Sequence, residues 1–202
     1  MAQVWPQAAI VAPKLLKEIN MSTLFTIKVF FRGDWCPWCN AYLSDFNKHL
    51  STIEDMGGRV LAITSQAGNK SKTNNNLDFD VIVDENNVEA AKYDIFVTPK
   101  AETPLKDVKD AYPHGMVQPG VVIEDATGNL LYRWAIISSE MNLGGASDRP
   151  LVSEILGGLE HILTHKVAPN AFATTDMAYL EAHHPETYQM VQAYLAGLNE
   201  TV

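Results

Sequence analysis

Cysteine is scarce in this chain: 202 residues hold two, far too few for the disulfide framework of a small secreted scaffold. Basic residues are short as well. Fifteen Lys and Arg against 24 Asp and Glu leave a formal net charge of −9. No Lys/Arg cluster relieves it, which excludes a polyanionic partner such as nucleic acid. No apolar run approaches the length of a membrane span. Met1 to Ala12 has neither the basic start nor the continuous apolar core of a signal peptide. No second Cys pair or nearby His pair completes a zinc site, and His161 and His165, on an expected helix, are read as facing solvent. What remains, 47% hydrophobic and 19% charged, is the composition of a globular domain. The expected address is a reducing cytoplasm, with no membrane attachment, metal or cofactor.

Both cysteines fall in one stretch, Phe30-Phe31-Arg32-Gly33-Asp34-Trp35-Cys36-Pro37-Trp38-Cys39-Asn40. Leu24 to Phe31 is β-rich and nearly all apolar, as suits a central strand buried on both faces. After the pair, Cys39, Leu43, Phe46, Leu50 and Ile53 mark one face of a helix running from Asn40 to Met56, which Gly57-Gly58 stops. Val60 to Ile63 is a second strand. Strand, helix, strand make a βαβ unit, whose crossover should be right-handed. A Cys-x-x-Cys at its first strand-to-helix junction is a redox signature.

The rest of the chain completes an α/β domain. Residues 65–79 form a polar loop or frayed helix, Val81 to Val83 a third strand, and Glu85 to Tyr93 a short helix. Residues 98–116, with Pro99, Pro104 and Pro113, read as an irregular insertion. Val117 to Glu124 and Leu130 to Ile137 are strands joined by a hairpin connection at Asp125 to Asn129. Asp148-Arg149-Pro150 reads as an N-cap with Pro in the first turn, opening a helix whose apolar face is Leu151, Ile155, Leu159 and Ile162. The expected fold is a three-layer α/β sandwich with a mixed central sheet. Residues 1–23 form an N-terminal arm, 24–165 the domain and 166–202 a C-terminal helical extension. The Tyr188, Val191, Leu195 and Leu198 stripe of that extension suits docking on the domain or on a second subunit of a homodimer.

Cys36 sits where the strand ends, and Pro37 suits the first helical position because its missing N–H would be unpaired there. Free N–H groups and the helix dipole then favour a thiolate at Cys36, lowering its pKa. Cys39 lies one turn deeper, within disulfide reach. The outer cysteine attacks and the inner one resolves. Trp35 and Trp38 rim the site. Trp134 and Met141-Asn142 are candidates to wall it, with a core position the alternative for Trp134. His114 is a candidate proton relay, with a plain loop histidine as the alternative.

Trp35-Cys36-Pro37-Trp38-Cys39 after an apolar strand resembles the Trp-Cys-x-x-Cys of the thioredoxin superfamily. The longer string from Phe31 to Asn40 resembles its AhpC/TSA, peroxiredoxin-like branch. Val60 to Ser65, Val81 to Asn86 with Ala90 to Tyr93, and Val121 to Asp125 with Gly128-Asn129 are similar to later pieces of that branch. The resemblance implies a thioredoxin-like fold and a cis-proline loop facing the cysteines. Its candidate is Pro119, where an exposed backbone would pair with an extended substrate; the alternative is an ordinary trans Pro. Typical peroxiredoxins carry Thr or Ser three residues before the peroxidatic cysteine and Pro four residues earlier. Those positions are Gly33 and Val29 here. The family's later Arg falls near Gln118-Pro119, and Arg32 is the candidate substitute as thiolate stabiliser. The buried acid that thioredoxins place six residues before the first cysteine is Phe30.

Three functions follow. The leading one is thiol–disulfide exchange, with Cys36 as nucleophile, Cys39 resolving, and Trp35, Pro37, Trp38 and Pro119 shaping the substrate groove. The second is a thiol-dependent peroxidase reducing hydrogen peroxide or alkyl hydroperoxides. The third is a non-enzymatic binding module. Either enzyme needs a thiol reductant of thioredoxin or glutathione type, with a protein disulfide or a peroxide as oxidant.

Overall fold

A computed structural model of the protein describes residues 23–103, 108–139, 142, 144–145, 148–165 and 189. Residues 1–22 of the expected arm, the extension after 165 with its dimer stripe, and Met141 lie outside the described residues. None of the described helices is long and apolar enough to cross a membrane.

The apolar run after Leu24 forms β1 (Phe25–Phe30), and its six residues are all buried. Strand β2 (Gly58–Thr64) pairs parallel with it, Phe25 opposite Gly58 and Phe30 opposite Ile63. Strand β3 (Asp80–Val83) extends that side in parallel. On the other side β6 (Gly120–Asp125) pairs antiparallel with β1, and β7 (Leu130–Ala135) antiparallel with β6. The sheet is thus mixed and five-stranded, in the order β3-β2-β1-β6-β7. The segment expected to be irregular holds a two-stranded piece, β4 (Val97–Thr98) with β5 (Met116–Val117).

Helix α1 (Pro37–Lys48) and α2 (Leu50–Asp55) divide the run expected as one helix. At the junction the His49 N–H is shared between the carbonyls of Asp45 and Phe46, and the His49 ring nitrogen lies 2.9 Å from the Asp45 oxygen. That tightens the turn beyond α geometry. Gly57, at φ +83°, then ends α2 in a conformation that suits glycine. Short helices α3 (Ser71–Asn74) and α4 (Val88–Lys92) follow, and α5 (Val152–His165) closes the described domain.

Alternation along β1 separates two cores. Phe25, Ile27, Val29 and Phe31 pack with Leu43 and Phe46 of α1 and with Val152, Ile155, Leu159 and Ile162 of α5. Phe30, on the opposite face, packs with Ile63, Ala90, Tyr93 and Val122. This gives the three layers that the pattern predicts. The N-cap assignment at Asp148 is corrected. Asp148 has φ +72°, and the helix starts at Val152, with the Glu154 carboxylate accepting the Leu151 N–H at 3.2 Å. Leu151 is accordingly 59% exposed and Val152 takes its place in the core.

One charge interrupts the apolar strand. Lys28 points to the α4 face, with its Nζ 2.9 Å from Glu89, 2.8 Å from Glu124 and 2.7 Å from the Tyr93 hydroxyl. Burial pulls its pKa down, but the hydrogen bonds with Glu124, Tyr93 and Glu89 outweigh it and the net shift is up. Glu124 is pushed up by burial and held down more strongly by Lys28 and Tyr93, for a net lowering. Glu124 therefore stabilises the fold fully above the usual carboxylate range and loses that contribution as pH falls through its folded pKa. Lys28 contributes fully below the usual lysine pKa and loses it at more alkaline pH. Lys28→Met takes the lysine from Glu89 and leaves Glu124 with Lys92, at 3.6 Å, and the Tyr93 hydroxyl, and should cost about 1–3 kcal/mol, read from urea unfolding at neutral pH. The difference from the unmodified protein should narrow as Glu124 takes up its proton.

Candidate active site

The end of β1 delivers the chain to α1 through Phe31-Arg32-Gly33-Asp34-Trp35. Cys36 is the N-cap residue of α1, with extended backbone (φ −88°, ψ 108°), and Pro37 follows inside the first turn. The Cys39 N–H donates to Cys36 Sγ at 3.4 Å, so one of the helix's free N–H groups is turned on the sulfur. Cys39 faces the core one turn on. Both thiols are free, Cys36 being 1% exposed and Cys39 0%.

The cation beside them is Arg149, from the loop before α5. Its Nη2 lies 3.6 Å from Cys39 Sγ and its Nη1 3.4 Å from the Trp38 carbonyl. The guanidinium stacks 5.4 Å from the centre of the Tyr42 ring, and the Tyr42 hydroxyl donates to Pro150 O at 2.9 Å, fixing the loop. The two thiols titrate as a pair that holds one thiolate. Cys39 is lowered to about 6, first by the hydrogen bond from Cys36 and, against burial, by Arg149 and the Arg32 main chain. Cys36 is held up by that same hydrogen bond and by burial. The helix end acts on Cys36 as expected, while the cation stands on Cys39.

Arg32 does not fill the role of thiolate stabiliser through its side chain. Its Nε and Nη2 donate to Gln118 Oε1 at 2.9 and 2.7 Å, and Nη2 also donates to the Gly144 carbonyl. Gln118 is buried and its amide donates to Thr98 Oγ1. Arg32 therefore ties β1 to the turn before β6. Pro119 is buried in that turn. The chain has no cis peptide bond among the described residues, so the cis expectation is corrected to trans. The Pro119 carbonyl is spent on the Ile136 N–H, which extends the β6–β7 pairing.

Gly33 is where a side chain has no room. A Cβ there would stand 2.5 Å from the Tyr112 hydroxyl and closer still to Gln66 Oε1. The Tyr112 hydroxyl accepts from the Trp35 ring N–H at 2.6 Å and donates to Arg32 O at 2.8 Å. Gln66 accepts from the Asp34 N–H and donates to the Asp34 carboxylate. Gly33, which the resemblance sets against a hydroxyl-bearing residue, is bare because Tyr112 and Gln66 occupy the space of a side chain.

The remaining candidates separate. Pro37 is exposed and Trp38 is 51% exposed at the surface beside the pair, whereas Trp35 is half-buried. Trp134 packs on the core. Asn142 is a loop staple, its Oδ1 accepting from Ser139 and Gly145 N–H groups. His114 is exposed and contributes its carbonyl to Asn87. His161 is exposed on α5. Arg149 and Tyr112 carry no signal in the sequence that points to the cysteines. They lie 110 and 77 residues from their partners Cys39 and Trp35.

A reduced cysteine pair at a helix N-terminus, on the end of the central strand of such a sheet, defines a thioredoxin-fold redox protein. The model of the AhpC/TSA family matches residues 17–133, more than half of the sequence, and the chain belongs to that family. It is an oxidoreductase. The solved structures it is similar to are peroxiredoxins and their relatives. A peroxiredoxin 6 from Arenicola marina aligns with TM-score 0.55 at 14% identity, covering 77% of this chain and 70% of that one. AhpC from Mycobacterium bovis aligns at 0.53 and 15%, covering 74% and 75%. PrxQ from Xylella fastidiosa aligns at 0.51 and 12%, covering 73% and 81%. These identities speak for the fold. Comparison with curated protein sequences gives no match.

The thiolate of the reduced pair, followed by absorbance near 240 nm, should appear with a midpoint near pH 6. Arg149→Met should move that midpoint upward by about a unit, toward the ordinary thiol near 8.5. An unchanged midpoint would remove Arg149 from the site.

Proposed function

We propose that this protein reduces a small oxidant, a hydroperoxide, and closes a disulfide between Cys36 and Cys39. The observation that carries this reading is the burial of Cys36, 1% exposed. An in-line attack on a protein disulfide needs a sulfur at the surface, whereas a peroxide needs only a small opening. The family fits the same choice.

In the cycle, the proton of the Cys36 thiol passes across its hydrogen bond to Cys39, leaving a Cys36 thiolate capped by the Cys39 N–H. That sulfur attacks one peroxide oxygen. The O–O bond breaks, Cys36 becomes a sulfenic acid, and the departing oxygen takes the proton held on Cys39 and leaves as alcohol or water. Cys39, again a thiolate beside Arg149, then attacks the Cys36 sulfur, the hydroxyl leaves as water with a proton from solvent, and the disulfide closes. Two electrons pass from the two thiols to the peroxide. An external thiol reductant, of thioredoxin or glutathione type, restores the dithiol. That requirement suits a reducing, cytoplasmic setting.

The second reading is thiol–disulfide exchange. It is favoured by the half-exposed Trp38 beside the pair and by the hydroxyl-free Gly33. In either case the redox unit is placed at residues 24–165, with 1–23 as an arm and 166–202 as a helical extension that fits an intramolecular or homodimer contact. Trp35, Pro37, Trp38 and Pro119 are then positions around the entrance and its supporting turn.

The test is stopped-flow tryptophan fluorescence of the reduced protein mixed with hydrogen peroxide. The expected result is a single phase, first order in peroxide, at least about a hundred times faster than a free thiolate. Cys36→Ser should abolish it. A rate no better than free thiol, together with rapid reduction of protein disulfides, would replace this reading by the second.

A further inference from the structure

Cys36 closes a tight turn. Its N–H donates to the Gly33 carbonyl at 3.2 Å, so Asp34 and Trp35 are the corners, and the chain passes from the turn straight into the cap of α1. Each corner is held from outside. The Asp34 N–H donates to Gln66 Oε1 at 2.8 Å, and the Asp34 carboxylate accepts from Gln66 Nε2 at 2.7 Å and from the Lys70 N–H at 2.9 Å. The Trp35 side chain has one polar group, its ring N–H, and that group donates to the Tyr112 hydroxyl at 2.6 Å. Tyr112 is fully buried, and its hydroxyl donates in turn to the Arg32 carbonyl at 2.8 Å. One oxygen thus joins the residue that enters the turn to the turn's second corner.

We propose that Tyr112 is a positioning residue of the redox pair: its hydroxyl locks Trp35 and, through the turn, sets the cap geometry of Cys36. The expected loss of rate rests on the peroxidase reading above; the expected change in the thiolate does not. Tyr112 can act as a prop because its own main chain is tied to the sheet. The Ala111 carbonyl accepts from the Ala67 N–H at 2.8 Å, and the Gly115 carbonyl accepts from Ser65 Oγ at 3.0 Å and from Asn87 Nδ2 at 3.2 Å. The Val117 N–H donates to Ser65 Oγ at 2.9 Å. Ser65 and Ala67 follow directly on the end of β2, the parallel neighbour of β1. The ring is therefore referenced to the sheet and not to the cysteines, which is what a supporting side chain of a reactive site requires.

Gly33 keeps this bond open. A Cβ there would stand 2.9 Å from the Trp35 ring nitrogen and 2.5 Å from the Tyr112 hydroxyl, so the bond between them fills the room of a side chain at 33. The consequence reaches the sulfur through the backbone. The Cys39 N–H donates to Cys36 Sγ at 3.4 Å, and the turn before Cys36 decides where that sulfur stands. An N–H aimed at a sulfur favours the thiolate. A displacement of about 1 Å at a reacting atom can cost about a hundred-fold in rate.

Tyr112→Phe keeps the ring and removes the hydroxyl. The Arg32 carbonyl still accepts from Thr64 Oγ1 at 2.9 Å, and Arg149 stays on Cys39, so the loss falls on Trp35. The midpoint of the thiolate absorbance of the reduced full-length protein, near pH 6 in the unmodified chain, should rise by about half a unit. Oxidation by hydrogen peroxide, quenched with acid and read by intact mass, should slow about ten-fold. Trp35→Phe removes the other partner of the same bond. It should slow the reaction as well, and the double variant should be no slower than the slower single. A folded Tyr112→Phe with unchanged midpoint and rate, or losses that multiply in the double variant, would overturn the proposal. If Tyr112→Phe does not fold, Trp35→Phe, whose ring is half-buried, carries the test, and an unchanged midpoint and rate there overturn the proposal too. An unmodified protein no faster than a free thiolate sinks the peroxidase reading alone, and the midpoints still decide the role of Tyr112.

Discussion

An unneutralised thiolate is costly in a nearly water-free core, and both cysteines of this chain sit in one. Three sources of positive potential make it tolerable. The first turn of α1 turns an N–H on Cys36, the Arg32 main chain favours charge on Cys39, and Arg149 stands beside Cys39. A helix end offers roughly half a charge, and the arginine reaches the sulfur only because Tyr42 and the Trp38 carbonyl hold its guanidinium. The loop before α5 therefore stays out of helical geometry until Val152. The shape of that loop follows from what its arginine must do.

The same economy runs along β1. A strand with buried residues on both faces can place Phe31 against α1 and still carry Lys28 on its reverse, because the far face offers two glutamates and a tyrosine. The ion cluster binds α4 to the sheet on one side. The redox pair and its arginine bind α1 and the loop before α5 on the other. The central strand is thereby fixed from both layers, and the reactive end of α1 inherits that rigidity.

Much of this was legible in the residues. The Leu24–Phe31 run, the Cys-x-x-Cys, the Gly57 stop and the hairpin at Asp125–Asn129 are local signals, and local signals survive without a structure. The layers and the mixed character of the sheet follow from them. Three features were not legible. The break at His49 interrupts no apolar stripe, since Leu50 and Ile53 continue it; a shared N–H causes it. Asp148-Arg149-Pro150 has the residue types of a helix start, but tertiary contacts of Arg149 override them. Gly33 reads as a missing hydroxyl until Tyr112, from a segment that looked irregular, is seen filling its place. Each of these depends on a partner whose distance along the chain hides it, or on a main-chain choice that side-chain pattern does not encode.

The central claim is that the two buried sulfurs oxidise onto each other, in place. Intact-mass spectrometry of the reduced protein after one equivalent of peroxide tests it most directly. The account predicts a monomer about 2 Da lighter, with Cys36 and Cys39 linked in one peptide. A monomer about 16 Da heavier, carrying a lasting sulfenic acid on Cys36, or a disulfide-linked dimer, would contradict it.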